Sequence, residues 1–366
     1  MEHGVRCLCF VDENVLSVSN FRQRQRGRRV IFRVERFCPF AALLNDSRQS
    51  YSGYLVKRFF RIYVPYILSF FVALMLLSLS PKLGGPLPYL SDFYNQRWTH
   101  GISMDIIVEH VLGIVNVHTM ELNDAYWSLV HEMRISIFFP FVVLLLRKVR
   151  WQYTGLIGIA LFTLAVLNEV FGFQKSNGLN TTYLHSMHYL SFFIYGMFLA
   201  KHRSEIVKGF QALKRRYKYG ILVFSLICYN SSYAVVKLLA KLGIDVTFER
   251  IFREQIIAIG VIGFVIIALS SKKIGSALRS PIPIFLGNIS YSLYLYHMVI
   301  YLALMHAFLG VIPLPYLLIL AFVVSMAVAY VGWLVIEKPT MAIGKRIADR
   351  IQKRTSIPIQ RTNLNG

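Results

Sequence analysis

The stretch "AYWSLVHEMRISIFFPFVVLLL", residues 125–146, is long and apolar enough to approach a membrane span, yet its first half is polar. His131, Glu132 and Arg134 lie close together, and Ser128 precedes Glu132 by one helical turn. An ionisable group inside a span costs roughly 2.5–3.5 kcal/mol and usually faces a partner or a polar cavity. Arg134 lies on the opposite side of the helix from Glu132. Glu132 therefore needs a partner elsewhere, either in a structural ion pair or in a functional polar site.

A second polar group occurs in "NISYSLYLYHMVIYL", residues 288–302. Ser290, Tyr294 and His297 stand at helical spacing, and Tyr291 flanks the same stripe. Imidazole exchanges protons near neutral pH, so His297 suits proton transfer if its surroundings are wet. The alternative is a histidine whose hydrogen bonds are satisfied within a helical bundle.

Two further groups lie at the ends of apolar runs. In "KRFFR", Lys57, Arg58 and Arg61 occupy one turn before the first run. They form either a topology anchor or a phosphate site, because guanidinium groups bind phosphate with two hydrogen bonds. Glu337 and Pro339 close the last run, and the proline predicts that the helix stops there.

The composition determines what must position these groups. Of the 366 residues, 55% are hydrophobic and 16% are charged, which indicates a membrane protein. Backbone amides cannot stay unpaired in lipid, and the runs are too continuous for barrel strands, so the predicted fold is an all-α polytopic bundle. We expect about eight spans, near 62–80, 127–146, 154–173, 182–200, 219–240, 251–270, 282–304 and 315–336.

The net charge of +22 follows the membrane topology rather than indicating nucleic-acid binding. Beyond residue 50, most Lys and Arg lie in alternate connections and in the C-terminal tail. This positive-inside pattern predicts a cytoplasmic C-terminus and a bilayer as partner. The four cysteines lack metal-type spacing, so we expect no bound metal and no disulfide framework.

The two ends and one long connection differ from the spans. Residues 1–50 are rich in arginine and predict a disordered basic segment, which could also rest on anionic lipid. The transmembrane domain is predicted over 51–340 and a basic cytoplasmic tail over 341–366. In the connection 81–126, the part from 102 to 118 predicts a re-entrant or interfacial helix.

Four motifs in this order resemble those of the membrane-bound acyltransferase-3 family. "KRFFRIYVPY" is similar to its Arg-x-x-Arg segment, and "YWSLVHE" to its Trp-Ser-Leu-x-x-Glu motif. "LGNISYSLYLYH" is similar to its Ser-Tyr-Ser-Leu-Tyr-Leu-x-His helix, and "IEKP" to its closing Glu-x-Pro. The matches extend over roughly residues 54 to 340.

The resemblance implies a bundle of typically ten helices that moves an acyl group, commonly acetyl, from cytoplasmic acyl-CoA to a hydroxyl of a cell-surface or exported polysaccharide. A bacterial inner membrane would be its location. It implies catalytic roles for Glu132, His297, Ser290 and Tyr294. The donor would bind to Lys57, Arg58 and Arg61, and the carbohydrate acceptor to Trp127, Ser128 and Tyr291.

One departure concerns the N-terminus, where the family has two more helices and a catalytic histidine. Codons for Ile31 to Ala42 can be chosen so that the next frame reads FFVLSGFVLSLP, which fits the second of those helices. We therefore hypothesise a frameshifted or mis-started N-terminal segment. In that case the chain lacks the family's principal base, and a catalytically inactive remnant is one alternative function. A proton-coupled transporter or flippase, with Glu132 and His297 as a proton relay, is another.

Overall fold

A computed structural model of the chain describes residues 50–80, 95, 97–98, 102–178, 180–241 and 249–355. Within these ranges the regular structure is helical and contains no strand, which confirms the predicted all-α membrane fold. The predicted disordered segment, apart from Ser50, and the tail beyond residue 355 lie outside the described residues. The predicted domain boundary at residue 340 falls inside a helix.

The helices are named in chain order. They are α1 Tyr51–Arg58, α2 Val64–Ser78, α3 Met104–Leu112, α4 Tyr126–Leu146, α5 Trp151–Phe171, α6 Tyr183–Lys201, α7 Arg203–Ala212, α8 Arg215–Asn230, α9 Ser232–Lys241, α10 Glu249–Ser270, α11 Lys272–Ala277, α12 Pro281–Phe308, α13 Leu314–Gly332 and α14 Lys338–Thr355. Two π-helical segments, π1 Phe59–Tyr63 and π2 Trp333–Glu337, join α1 to α2 and α13 to α14.

Among the described residues, six helices are long and apolar enough to cross a membrane, fewer than the eight expected. They are the continuous helix α1–π1–α2, then α4, α5, α10, α12, and the continuous helix α13–π2–α14. The expected span at 219–240 is wrong as a single helix, because the helix is interrupted at Ser231, between α8 and α9. Helix α6 forms where it was expected, but its histidines make it more polar than the six.

The connection before α4 contains a short helix, as its pattern predicts. Helix α3 begins after Ser103, whose side chain accepts a hydrogen bond from the Ile106 amide. It ends at Gly113, which takes a left-handed conformation at φ 67°. Its nine residues are too few to cross a bilayer, which is consistent with a re-entrant or interfacial helix.

The prediction that the last helix stops at Pro339 is wrong. The helix continues to Thr355, because π2 precedes the proline and the Lys338 amide donates to the Trp333 carbonyl, five residues back. A proline in a regular α-helix clashes with the carbonyl four residues earlier, and the wider turn removes this conflict. Pro65 follows π1 in the same way.

The described residues form two compact units. Unit A contains the residues up to Gly113, Met120–Pro140 and those from Tyr291 onward. Unit B contains Ile114–Thr119 and Phe141–Ser290. The core of unit A is formed by side chains from α2, α4 and α12, which include Tyr66, Phe70, Leu129, Met133, Leu295 and Val299.

Close helix packing in each unit depends on small residues. In unit A, α14 packs back on α1 and π1, and a Cβ at Gly344 would lie 2.6 Å from the Cβ of Phe60. In unit B, α8 packs against α10, where a Cβ at Gly260 would lie 2.8 Å from the Ser225 carbonyl oxygen. Glycine at these positions lets the backbones approach closely.

Candidate functional site

Helix α4 carries polar side chains into the interior of the molecule. Two-thirds of its apolar window (67%) is buried, a larger share than for any other candidate span in the described ranges. His131, Glu132, Arg134 and Ser136 are all at least nine-tenths buried. Trp127 is also buried and contacts the His131 ring edge to face, with 5.9 Å between ring centroids. The polar residues of the motif are therefore interior groups.

The partner that Glu132 requires lies on the preceding helix. Arg58, in the last turn of α1, places its Nη1 atom 3.7 Å from the Glu132 Oε1 atom. The two side chains are 9% and 2% exposed, so both charges are held away from water. The Arg58 guanidinium also lies over the Tyr54 ring, 5.6 Å from its centroid. Arg58 is thus a buried ion-pair partner rather than an exposed surface cation.

The two cations beside Arg58 are more accessible. Lys57 and Arg61 are half-buried, and Arg61 lies within π1. Single π-turns occur frequently at functional sites because they redirect side chains within a continuous helix. The predicted basic triplet therefore consists of one buried residue and two residues within reach of the surface.

Helix α12 connects three other elements of unit A through consecutive polar residues. Tyr291 donates its hydroxyl hydrogen to the Ile62 carbonyl of π1 at 2.8 Å. Ser292 donates to the Glu337 carboxylate of π2 at 2.7 Å. The hydroxyl groups of Tyr294 and Ser128 hydrogen-bond to each other, which joins α12 to α4. Glu337 is therefore a buried structural acceptor, which its place at the end of a run did not indicate.

The His297 ring is oriented by its own helix. Its Nδ1 atom lies 3.0 Å from the Leu293 carbonyl oxygen and 2.9 Å from that of Tyr294. Carbonyl oxygens only accept hydrogen bonds, so Nδ1 carries the hydrogen in the neutral ring and Nε2 carries the lone pair. The ring centroid is 6.0 Å from that of Tyr294. His297 therefore presents a basic nitrogen away from the α12 backbone.

Ser290 differs from its neighbours on the predicted stripe. Its hydroxyl donates to the Gly287 carbonyl, one turn earlier in α12, at 3.1 Å. It is also the last residue of unit B, whereas Tyr291, Tyr294 and His297 belong to unit A. The structure thus brings Arg58 to Glu132 and Ser128 to Tyr294 in paired contacts within unit A, and the hydrogen bond described for Ser290 lies within α12.

Sequence reasoning missed an aromatic and imidazole group near the start of α4. His110 of α3 is fully buried; the Tyr66 hydroxyl lies 2.9 Å from its Nδ1 atom and donates to its backbone carbonyl at 3.1 Å. The Tyr66 ring meets the Tyr126 ring edge to face, and the Tyr126 hydroxyl lies 3.1 Å from the Ser69 hydroxyl. The two tyrosines of "YVPY", Tyr63 and Tyr66, are a sequence signal for buried polar groups. Their partners lie on other helices, however, and such contacts leave no regular spacing in the sequence.

Unit B contains a second buried polar cluster that spacing did not reveal. The Glu254 carboxylate in α10 accepts hydrogen bonds from His188 at 3.1 Å and from Tyr189 at 2.9 Å, both in α6. Arg250 donates to its other oxygen at 3.2 Å. All donors point at one acceptor, which is the arrangement of a helix-joining network. No group of three His, Cys, Asp or Glu side chains suited to a metal ion occurs among the residues described.

Comparison with known proteins adds one finding. A family model described as an acyltransferase domain matches residues 37–336, more than half of the chain. No curated protein and no solved structure gave a significant match. The match includes α1 to α13 and the Arg58–Glu132 and Ser128–Tyr294 pairs of unit A, and it ends one residue before Glu337.

Proposed function

Because the chain belongs to the acyltransferase-3 family of integral membrane proteins, we propose that it transfers an acyl group from acyl-CoA across the membrane to a polysaccharide. Acetyl-CoA is the proposed donor, and a hydroxyl of a cell-surface or exported glycan is the proposed acceptor. The observation that carries the proposal is the buried Arg58–Glu132 pair beside the Ser128–Tyr294 hydroxyl pair, in helices long and apolar enough to span a membrane.

The transfer requires a base for the acceptor hydroxyl. We assign this role to Nε2 of His297, because Nδ1 is occupied by backbone carbonyls. As Nε2 takes the proton, the hydroxyl oxygen attacks the thioester carbonyl and a carbon–oxygen bond forms. The carbon–sulfur bond then breaks, and the thiolate takes the proton from the imidazolium. The products are an ester and free CoA thiol, so the reaction has no net proton demand.

The developing oxyanion requires a hydrogen-bond donor. Ser128 and Tyr294 share one hydrogen bond, so the hydroxyl that accepts it keeps its own hydrogen. That hydrogen can be donated to the thioester oxygen as the oxygen gains charge. Removing one such donor lowers kcat by roughly 10²–10³-fold. Glu132, paired with Arg58, lies one helical turn after Ser128 and would help to hold that part of α4 in place.

The donor phosphates would lie at Lys57 and Arg61. Both are more accessible than Arg58, and a cationic pair attracts the nucleotide end of CoA. Trp127 and Tyr291 would contact the acceptor. The proposed location is the bacterial inner membrane with the C-terminus in the cytoplasm, which reporter fusions at residue 366 would test.

The decisive experiment measures transfer of label from radioactive acetyl-CoA to exported glycan in inner-membrane vesicles. His297→Ala and Tyr294→Phe should each lower the rate by about 10²-fold. His202→Ala is the matched control, because His202 lies in unit B outside these contacts and should retain the wild-type rate. Wild-type protein that folds but transfers no label would refute the proposal and favour an inactive remnant.

Donor binding is tested separately. Saturable binding of acetyl-CoA should weaken at least about tenfold in Lys57→Ala/Arg61→Ala, because two phosphate contacts are lost. The control replaces Lys345 and Arg346, two exposed cations of α14, and should bind as wild type. Equal binding in both double variants would place the donor elsewhere, and proton-coupled flux without CoA would favour a transporter.

A further inference from the structure

The two residues Arg97 and Trp98 hold the turn that precedes α4. The Arg97 Nε and Nη2 atoms both donate to the Asp124 carboxylate, Nε at 2.5 Å. The Trp98 indole donates to the Leu122 carbonyl at 3.0 Å, and the Trp98 amide donates to the Glu121 carbonyl at 3.3 Å. Four hydrogen bonds from one dipeptide thus converge on three residues within positions 121–124, so the turn has little freedom to shift.

This contact is built into the interior of unit A. Arg97 is 0% exposed, Trp98 is 1% exposed and Asp124 is 6% exposed. Trp98 also has a φ of 57°, a left-handed conformation that bulky side chains rarely adopt. Such a backbone is unfavourable for a non-glycine residue and persists only where the surroundings enforce it. A buried ion pair and a strained backbone at one point indicate that this turn is held in a fixed position, unlike an ordinary surface loop.

Asn123 carries the contact onward to the helices. Its Nδ2 atom donates to the Leu295 carbonyl of α12 at 3.0 Å, and its Oδ1 atom accepts from the Ala125 amide at 3.0 Å. Leu295 is the neighbour of Tyr294, whose hydroxyl bonds to Ser128. The turn therefore sets how the first turns of α4 meet the middle of α12.

We propose that Arg97 is a positioning residue for the transfer reaction, acting through Asp124 and Asn123 to keep Ser128 against Tyr294. The catalytic part of this inference rests on the proposed function. A guanidinium group binds a carboxylate at two points, whereas an ammonium group binds at one, so lysine would keep the charge and lose the orientation. A displacement of about 1 Å at a reacting group costs up to roughly 10²-fold in rate.

The first test compares Arg97→Lys with wild type in the transfer assay. We expect kcat to fall at least about tenfold while KM for acetyl-CoA changes less than about twofold, because the proposed phosphate contacts, Lys57 and Arg61, lie on α1 and π1 and not on this turn. The matched control is Arg250→Lys, which weakens an Arg–Glu contact in unit B and should retain the wild-type kcat. Full activity of Arg97→Lys would overturn the inference.

The second test measures how close positions 128 and 294 lie to each other and does not depend on catalytic activity. Ser128→Cys and Tyr294→Cys are introduced into a chain whose four native cysteines have been replaced, and the rate at which a short bis-maleimide bridges the two thiols is measured. Arg97→Lys should slow bridging about fivefold or more, and Arg250→Lys should not. An unchanged bridging rate overturns the inference, even if kcat falls. If Arg97→Lys slows bridging but wild-type protein transfers no label, the positioning role is supported while the proposed function fails.

Discussion

The Arg58–Glu132 pair makes a quantitative prediction about stability. At 3.7 Å and an effective dielectric constant of about 20, the attraction between the charges is about 4.5 kcal/mol. Removing one partner of a buried pair costs about 3–5 kcal/mol, because the other charge stays in a low-dielectric interior. Arg58→Ala should therefore lower the free energy of unfolding by about that amount.

Removing both charges should cost less than the sum of the single changes. In Arg58→Ala/Glu132→Gln no carboxylate remains to be buried alone, so the double variant should be more stable than Arg58→Ala. The expected coupling energy is at least about 2 kcal/mol. The assay is reversible unfolding in mixed micelles, followed by tryptophan fluorescence, for the four proteins of the cycle.

A second cycle provides the control. His202 and Glu205 lie 2.8 Å apart, but their side chains are 23% and 75% exposed. Exposed pairs contribute less than about 1 kcal/mol, so this cycle should give a small coupling. The reasoning is refuted if the coupling at Arg58 and Glu132 is no larger than the coupling at His202 and Glu205.

Three further changes should have measurable effects on unfolding. Gly178→Ala should cost about 1–3 kcal/mol, because the new Cβ would lie 2.4 Å from a backbone carbonyl, whereas Gly209→Ala, with open space around it, should not destabilise. Ser292→Ala should cost about 1–3 kcal/mol by removing a donor from the buried Glu337 carboxylate, and Ser292→Thr should restore part of it. Tyr66→Phe should cost about 1–2 kcal/mol and leave the helix content by circular dichroism unchanged, since only the contacts of one buried hydroxyl with the His110 ring and carbonyl are lost. Wild-type stability in any of the three would contradict the contact concerned.

Much of the fold follows from local pattern. Continuous apolar runs predicted the helical class and the positions of α4, α10 and α12 to within a few residues. The rule that a buried charge needs a partner predicted that Glu132 would face either another helix or a polar pocket, and Arg58 of α1 pairs with it. Each of these inferences uses only neighbours in sequence and the cost of polar groups in lipid.

The remaining features depend on contacts between distant segments. Arg97 and Asp124 had the appearance of loop residues, because a hydrogen bond between residues 27 positions apart produces no periodic pattern in the sequence. Pro339 predicted a helix end because a regular α-turn was assumed, and the π-turn before it changes that rule. Which residues on the α12 stripe act together could not be predicted either, since Ser290 bonds within its own helix while Tyr294 bonds to α4.

The π-turns have a consequence for how the chain tolerates changes in length. Deleting one residue from a regular helix rotates everything beyond it by about 100°, which turns apolar side chains toward the wrong neighbours. A π-turn holds one residue more than an α-turn, so loss of a residue within Phe59–Tyr63 or Trp333–Glu337 leaves the downstream faces in phase. The same loss restores a regular turn, in which Pro65 or Pro339 meets the carbonyl four residues earlier, so either helix can be shortened there only together with replacement of the proline that follows.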